Sequence, residues 1–182
     1  AIFFTTNPLA ISALLMGMIY AGGPISKAHY NPAVTLAFWW RKQCAARDVT
    51  GYLVAQIAAA LLAAGVASSL LPQEQLGPAA FGGVGPALAA EAIGTFALVF
   101  VILHVATTER AAGNEYYGLA IGMTVLGCAE AFGGISGGAF NPAVAIGAAA
   151  AGVFSWSVVW VHFLASFAAS GLAVLVVNYT EK

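Results

Sequence analysis

The sequence predicts an all-α integral membrane protein: a helical bundle of two repeats running in opposite directions, each with a short half-helix that re-enters the membrane. Three observations predict it. Of 182 residues, 61% are hydrophobic and 7% charged, too few ionisable side chains to cover a water-soluble globule of this size. Uncharged runs recur near the length of about 20 residues that a bilayer core roughly 30 Å thick requires of a helix. Finally, GGPISKAHYNPAV at 22–34 overlays FGGISGGAFNPAV at 132–144, an offset of 110 residues, the signature of an internal repeat.

Taken in chain order, the first span opens at Asn7-Pro8, where Asn can cap and Pro can fill the first helical turn, and runs to about Gly22. The apolar run 32–40 is too short to cross, because nine residues at 1.5 Å each reach only about 14 Å; it ends near mid-membrane. Residues 49–71 form the second span. The segment 71–86, LPQEQLGPAAFGGVGP, carries three prolines among its glycines and reads as an irregular connection. Residues 86–107 form a third span, with Glu91 and His104 inside it, and 117–132 a shorter one containing Glu130. The run 142–150 is a second half-helix, and 156–178 closes the chain. The whole is one membrane domain: a first repeat over 1–72, a linker at 73–85 and a second repeat over 86–182.

The offset tests this division. It carries 8–22 onto 118–132 and 49–71 onto 159–181, in agreement with the spans, but it carries 86–107 back onto −24 to −3. The first repeat is therefore expected to be incomplete, its first transmembrane helix missing from this chain. With three spans per half, an odd number, the two repeats must be inverted, which places the functional site near the midplane where the short segments meet. Orientation follows from the basic residues. Lys27, Arg41, Lys42, Arg47, Arg110 and Lys182 all fall on one side, while 71–86 and 133–155 hold no Lys or Arg. The basic loops and the C-terminus are thus expected in the cytoplasm, in a plasma or inner membrane. Trp39, Trp40, Trp156 and Trp160 lie near span or half-span ends, as an aromatic belt requires.

Several function classes drop out. Six Lys and Arg against seven Asp and Glu leave no basic surface for nucleic acid. Cys44 and Cys128 have no companion at metal-ligand spacing and read as buried small apolar residues. No nucleophile is paired with a base, so no enzyme, metal or cofactor is implied. What remains is the Asn-Pro-Ala-Val pair. Asn31 and Asn141 cap helices whose first turns hold Pro32, Ala33 and Pro142, Ala143. Two helix N-termini meeting at mid-membrane, each worth about half a positive elementary charge, repel cations, and the Asn amides can donate hydrogen bonds to a passing oxygen. The glycine-rich loops leading in can line a path with carbonyls, an arrangement tolerated only beside a water-filled cavity. These features predict a channel for neutral solutes.

Two NPA boxes in inverted repeats, with HYNPAVT in the first half and AEAIGTF at 90–96, resemble the aquaporin (major intrinsic protein) family, and the resemblance covers essentially the whole chain. It implies a homotetramer in which each subunit has its own pore, with the bilayer and small neutral solutes as the other partners. It also implies that Glu91 is a buried carboxylate accepting hydrogen bonds from re-entrant loop backbone. His29, Tyr30, Gly137 and Ala139 would line the pore. The family's narrowest point, carried over by spacing from the two Asn residues, falls on Ile11, Ala129, Gly138 and Val144. Water-selective members place an aromatic residue, a His and an Arg among these positions, and glycerol-conducting members carry Arg-Asp where this chain has Val144-Ala145. The filter is therefore expected to be wide and apolar. Val at this position resembles some plant vacuolar-type members, which implies passage of water, ammonia, urea or peroxide.

Other residues are read more simply. Glu130 either faces the lumen or has a hydrogen-bonded or interface role. His104 and His162 are helix-packing histidines without a partner at ligand spacing, Lys27 is a solvated loop charge near the inner mouth, and Met16, Met18 and Met123 pack in the core. The expected function is a passive channel for water and small neutral solutes. The alternatives are a non-conducting structural protein of the same fold and a proton-coupled transporter using Glu130.

Overall fold

Three helices open on an Asn-Pro pair, and the same chemistry starts each. The Asn side chain accepts a hydrogen bond from the first free backbone N–H groups, and the following Pro has no N–H to leave unsatisfied. In the computed structural model, which describes residues 3–72, 76 and 78–181, Asn7 Oδ1 accepts from the N–H of Leu9 at 2.9 Å, Asn31 Oδ1 from Ala33 at 2.9 Å and Asn141 Oδ1 from Ala143 at 3.0 Å. These caps begin α1 (Pro8–Ser26), α2 (Pro32–Trp40) and α6 (Pro142–Ala150). The remaining helices are α3 (Ala46–Leu70), α4 (Val84–Thr107), α5 (Tyr117–Ser136) and α7 (Val159–Thr180), the last preceded by a 3₁₀ turn at Trp156–Val158. Among the described residues, five of these stretches are long and apolar enough to cross a membrane.

The repeat is written into the backbone. Adding 110 to α2 gives the bounds of α6, and adding it to α3 gives 156–180, the turn plus α7. Two spans run longer than the sequence suggested. Glycine pairs at 22–23 and 133–134 look like helix ends, but inside a membrane a broken helix would strand backbone groups that no water can satisfy. Both helices continue until a residue turns left-handed: Lys27 at φ 57° closes α1 and Gly137 at φ 84° closes α5, each N–H returning to a carbonyl at 2.9 Å, of Gly23 and Gly133. Of the expected linker, residues 73–75 and 77 lie outside the described residues, as does Lys182. α3 ends at Leu70 and α4 starts at Val84, two residues before the expected span, and α4 takes Pro86 into its first turn, where a missing N–H costs nothing.

The core is organised around α4, which packs against α7 and α5, while α1 lies on α5 and α3 on α6. The α4–α7 seam is narrow because α7 presents Ala165, Ala169 and Ala173 with Ser166 and Ser170, all buried, and small side chains let backbones approach. Where α6 crosses α3, a Cβ on Gly147 would lie 2.9 Å from the Ala60 carbonyl oxygen. The outer face of α3 carries exposed Val54, Leu61, Leu62, Val66 and Leu70, as a helix against acyl chains requires. Met18 and Met123 are exposed and so are not the core packing expected, whereas Met16 is half-buried and packs in the seam between α1 and α5, where a Cβ on Gly122 would lie 3.0 Å from its Cβ. Cys128 is buried but Cys44 only half-buried, because it lies in the turn between α2 and α3. In that region Arg41 fastens the C-terminal end of α2 to the end of α7, donating to Asn178 Oδ1 at 2.8 Å and pairing with Glu181 at 2.5 Å.

Candidate functional site

The two short helices meet head to head through a reciprocal pair of hydrogen bonds. Asn31 Nδ2 donates to the carbonyl of Phe140, and Asn141 Nδ2 to the carbonyl of Tyr30, both at 2.9 Å. The residue before each Asn makes this possible: Tyr30 at φ 45° and Phe140 at φ 46° hold the left-handed conformation, which non-glycine residues rarely adopt and which turns each carbonyl toward the opposite half. Each Asn is thus doubly employed, its oxygen capping its own helix and one N–H tying it to the other. Of each amide, the second N–H is left over from this tie.

Both Asn residues line a cavity of about 840 Å³. Of the residues singled out from the sequence, Ile11, His29, Tyr30, Gly138, Ala139 and Val144 also line it. Pro32, Ala33, Pro142 and Ala143 do not; they are buried in the first turns of α2 and α6. Gly137 does not either, because as the left-handed cap of α5 it faces Phe154, whose ring would lie 2.5 Å from a Cβ placed there. Ala129 is half-buried and absent from the lining. The α5 face on the cavity is set by Tyr117, Ile121 and Val125, and the methyl of Ala129, one turn on, is set back from it.

His29 touches the cavity only at an edge. It is 4% exposed, its Nδ1 lies 3.2 Å from Thr35 Oγ1, and its ring sits between Phe38 and Tyr52, centroids at 4.4 and 4.5 Å. Lys27 is exposed, as expected of a loop charge, and its Nζ donates to the Gln43 carbonyl at 2.9 Å. Glu130 is exposed on α5 and absent from the cavity lining.

Behind the cavity wall, Glu91 holds the loop that leads into α6. Oε1 accepts from Ser136 Oγ at 2.7 Å and the Ala139 N–H at 3.0 Å, and Oε2 accepts from the Phe140 N–H at 2.7 Å. The carboxylate is fully buried, so these donors replace the hydration it has lost. His162 is no isolated packing histidine: its Nδ1 lies 3.3 Å from Glu91 Oε2. The sequence could not bring this pair together, since the residues are 71 positions apart on helices whose relative rotation is set by packing. His104 keeps a local role, its Nδ1 2.9 Å from the Phe100 carbonyl. Leu98, Ile102 and Val105 of α4 also form the wall; they share helical spacing, but on so apolar a helix hydropathy does not mark which face meets the cavity.

Chemically, the cavity is mostly apolar, with two amide donors and two converging helix N-termini partway along, and with Lys27, Glu109 and Asn114 also in its lining. Among the described residues no three His, Cys, Asp or Glu side chains gather as metal ligands. A family profile described as Major intrinsic protein matches residues 3–177. Similar proteins include a probable aquaporin, AqpM, of Archaeoglobus fulgidus, 36% identical over 96% of this chain and 75% of its own. Another is aquaporin NIP1-1 of Oryza sativa subsp. japonica, 39% identical over 92% of this chain and 61% of its own. Aquaporin AqpM of Methanothermobacter marburgensis is 34% identical over 94% of this chain and 74% of its own. The chain spans about three quarters of the archaeal relatives' length and about three fifths of that of the rice protein.

Proposed function

The chain belongs to the major intrinsic protein family, whose members are membrane channels rather than enzymes, and from that premise we propose that it conducts water and small neutral solutes passively. The reciprocal Asn31–Phe140 and Asn141–Tyr30 ties carry this reading, because they fix two amides on the wall of a mostly apolar cavity. A neutral solute that crosses must strip part of its hydration, and the leftover amide N–H groups replace some of it. At the two Asn residues a cation meets amide donors and the positive ends of α2 and α6. In this reading α2 and α6 re-enter from opposite faces in inverted repeats, the basic loops face the cytoplasm, and the protein assembles as a homotetramer.

The constriction is assigned to Ile11, Gly138 and Val144, with Ala129 set back behind them. No guanidinium or ring from these positions narrows the path, which favours uncharged solutes larger than water. Stopped-flow light scattering on proteoliposomes tests the proposal. Osmotic shrinkage is expected to exceed that of empty liposomes, and urea is expected to drive fast reswelling. Val144→Arg places a cationic fork in the constriction and is expected to slow urea entry about tenfold or more while sparing water. Glu130→Gln is expected to leave both fluxes unchanged and independent of a pH gradient, because Glu130 stands off the lining; flux abolished by it would favour a proton-coupled transporter. Shrinkage no faster than in empty liposomes would overturn the channel reading.

A further inference from the structure

Glu91 receives three hydrogen bonds from the segment it anchors, from Ser136, Ala139 and Phe140. The fourth polar group on it comes from elsewhere, the imidazole of His162 on α7. His162 is fully buried and its ring lies nearly parallel to that of Phe154, interplanar angle 11° and centroids 4.7 Å apart, so its orientation is fixed by packing. Below it the α4–α7 seam stays polar, with Thr95 Oγ1 and Ser166 Oγ at 3.3 Å. Neither ring nitrogen makes an aligned hydrogen bond in this conformation, and since a carboxylate offers only acceptors, it is a hydrogen on the nitrogen facing Oε2 that makes this contact attractive.

We propose that His162 is a positioning residue of the pore that acts through Glu91. Its Nδ1, 3.3 Å from Oε2, steadies that oxygen by electrostatic contact in the orientation that receives the Phe140 N–H. Glu91 is rooted in α4, and the contact with His162 restrains its carboxylate from α7 as well. The consequence travels one residue: the peptide whose N–H is held by Glu91 belongs to Phe140, and the carbonyl of Phe140 is the acceptor for Asn31. His162 therefore sets where one of the two amides stands in the cavity. The effect on conduction rests on the channel reading above, whereas the effect on the loop does not.

Amide hydrogen exchange on the protein in nanodiscs, read at Ala139 and Phe140, tests the loop directly. His162→Leu and His162→Asn both lose the stacking on Phe154, but Asn carries an N–H donor near the position of Nδ1. Exchange is expected to rise about tenfold or more in the Leu variant and to stay within about threefold of the unmodified protein in the Asn variant. In a Glu91→Gln background, adding His162→Leu is expected to change exchange by less than about twofold, since the partner through which it acts is gone. Equal behaviour of the Leu and Asn variants, or effects that multiply in the double variant, would overturn the proposal. If the Leu variant does not fold, ¹⁵N shifts of labelled histidine in the unmodified protein decide it: hydrogen on Nδ1 supports the assignment and a bare Nδ1 sinks it. Exchange that follows this pattern in a protein that conducts nothing would leave the loop role standing and remove the pore.

Discussion

Glu91→Leu is expected to cost more stability than any other single change considered for this chain. The substitution leaves the Ser136 hydroxyl and the N–H groups of Ala139 and Phe140 buried without an acceptor. Each orphaned donor costs about 1–3 kcal/mol, so the loss is on the order of 3–9 kcal/mol if the loop stays in place. The loop will move instead, taking Gly138 and the Phe140 carbonyl with it. Thermal unfolding in detergent is expected to shift down by more than about 10 °C, with loss of whatever flux the intact chain supports. Glu91→Gln is expected to fall between the two, since one oxygen still accepts while the NH₂ opposes a backbone donor. A Leu variant that unfolds within about 2 °C of the original protein would show that the loop holds itself.

Gly94→Ala comes next. A Cβ on Gly94 would stand 2.2, 2.5 and 2.9 Å from three atoms of the Phe140 ring. That ring is only 2% exposed, so it has no open side toward which to retreat. Overpacking of this kind costs about 1–3 kcal/mol, and here relief requires displacing a residue that is already left-handed and tied at both its N–H and its carbonyl. Water permeability and unfolding temperature are both expected to fall. Adding Phe140→Leu should recover most of the loss by vacating the space, a coupling that a double-mutant cycle measures. Losses that simply add in the double variant would mean that the ring is not what the methyl strikes.

Much of this architecture was legible because a few residues carry strong local chemistry. Asn-Pro fixed the starts of α1, α2 and α6 to the residue, since a cap and a missing N–H act within one turn and need no tertiary context. The offset of 110 did the same for the pairing of elements, because a repeat is compared with itself and not with a propensity scale. α1 and α5 end at Ser26 and Ser136, beyond the expected ends near Gly22 and Phe132, because leaving the helix inside a membrane strands backbone groups. Side-chain facing was less accessible. Whether Ala129 or Val125 looks into the cavity depends on a rotation of α5 of less than one turn, and hydropathy cannot resolve it when every face is apolar. Glu91 could be read as buried, but its partner His162 could not be named without knowing which face of α7 meets α4.

The cross-ties between the halves also govern how the chain is made. Asn31 needs a carbonyl 109 residues downstream, and Tyr30 offers its own to a side chain 111 residues downstream. At a synthesis rate of about 5–20 residues per second, the first short helix waits roughly 5 to 20 s for its counterpart to be translated. During that interval its loop holds a left-handed Tyr30 and a buried Asn amide with no native acceptor, so the segment from 27 to 40 cannot settle in its final place. The long spans can insert one by one as they leave the ribosome, but α2 and α6 can only lock together, after α5 has delivered the second loop. Translation order therefore keeps the centre of the molecule from becoming native until most of the chain has been made.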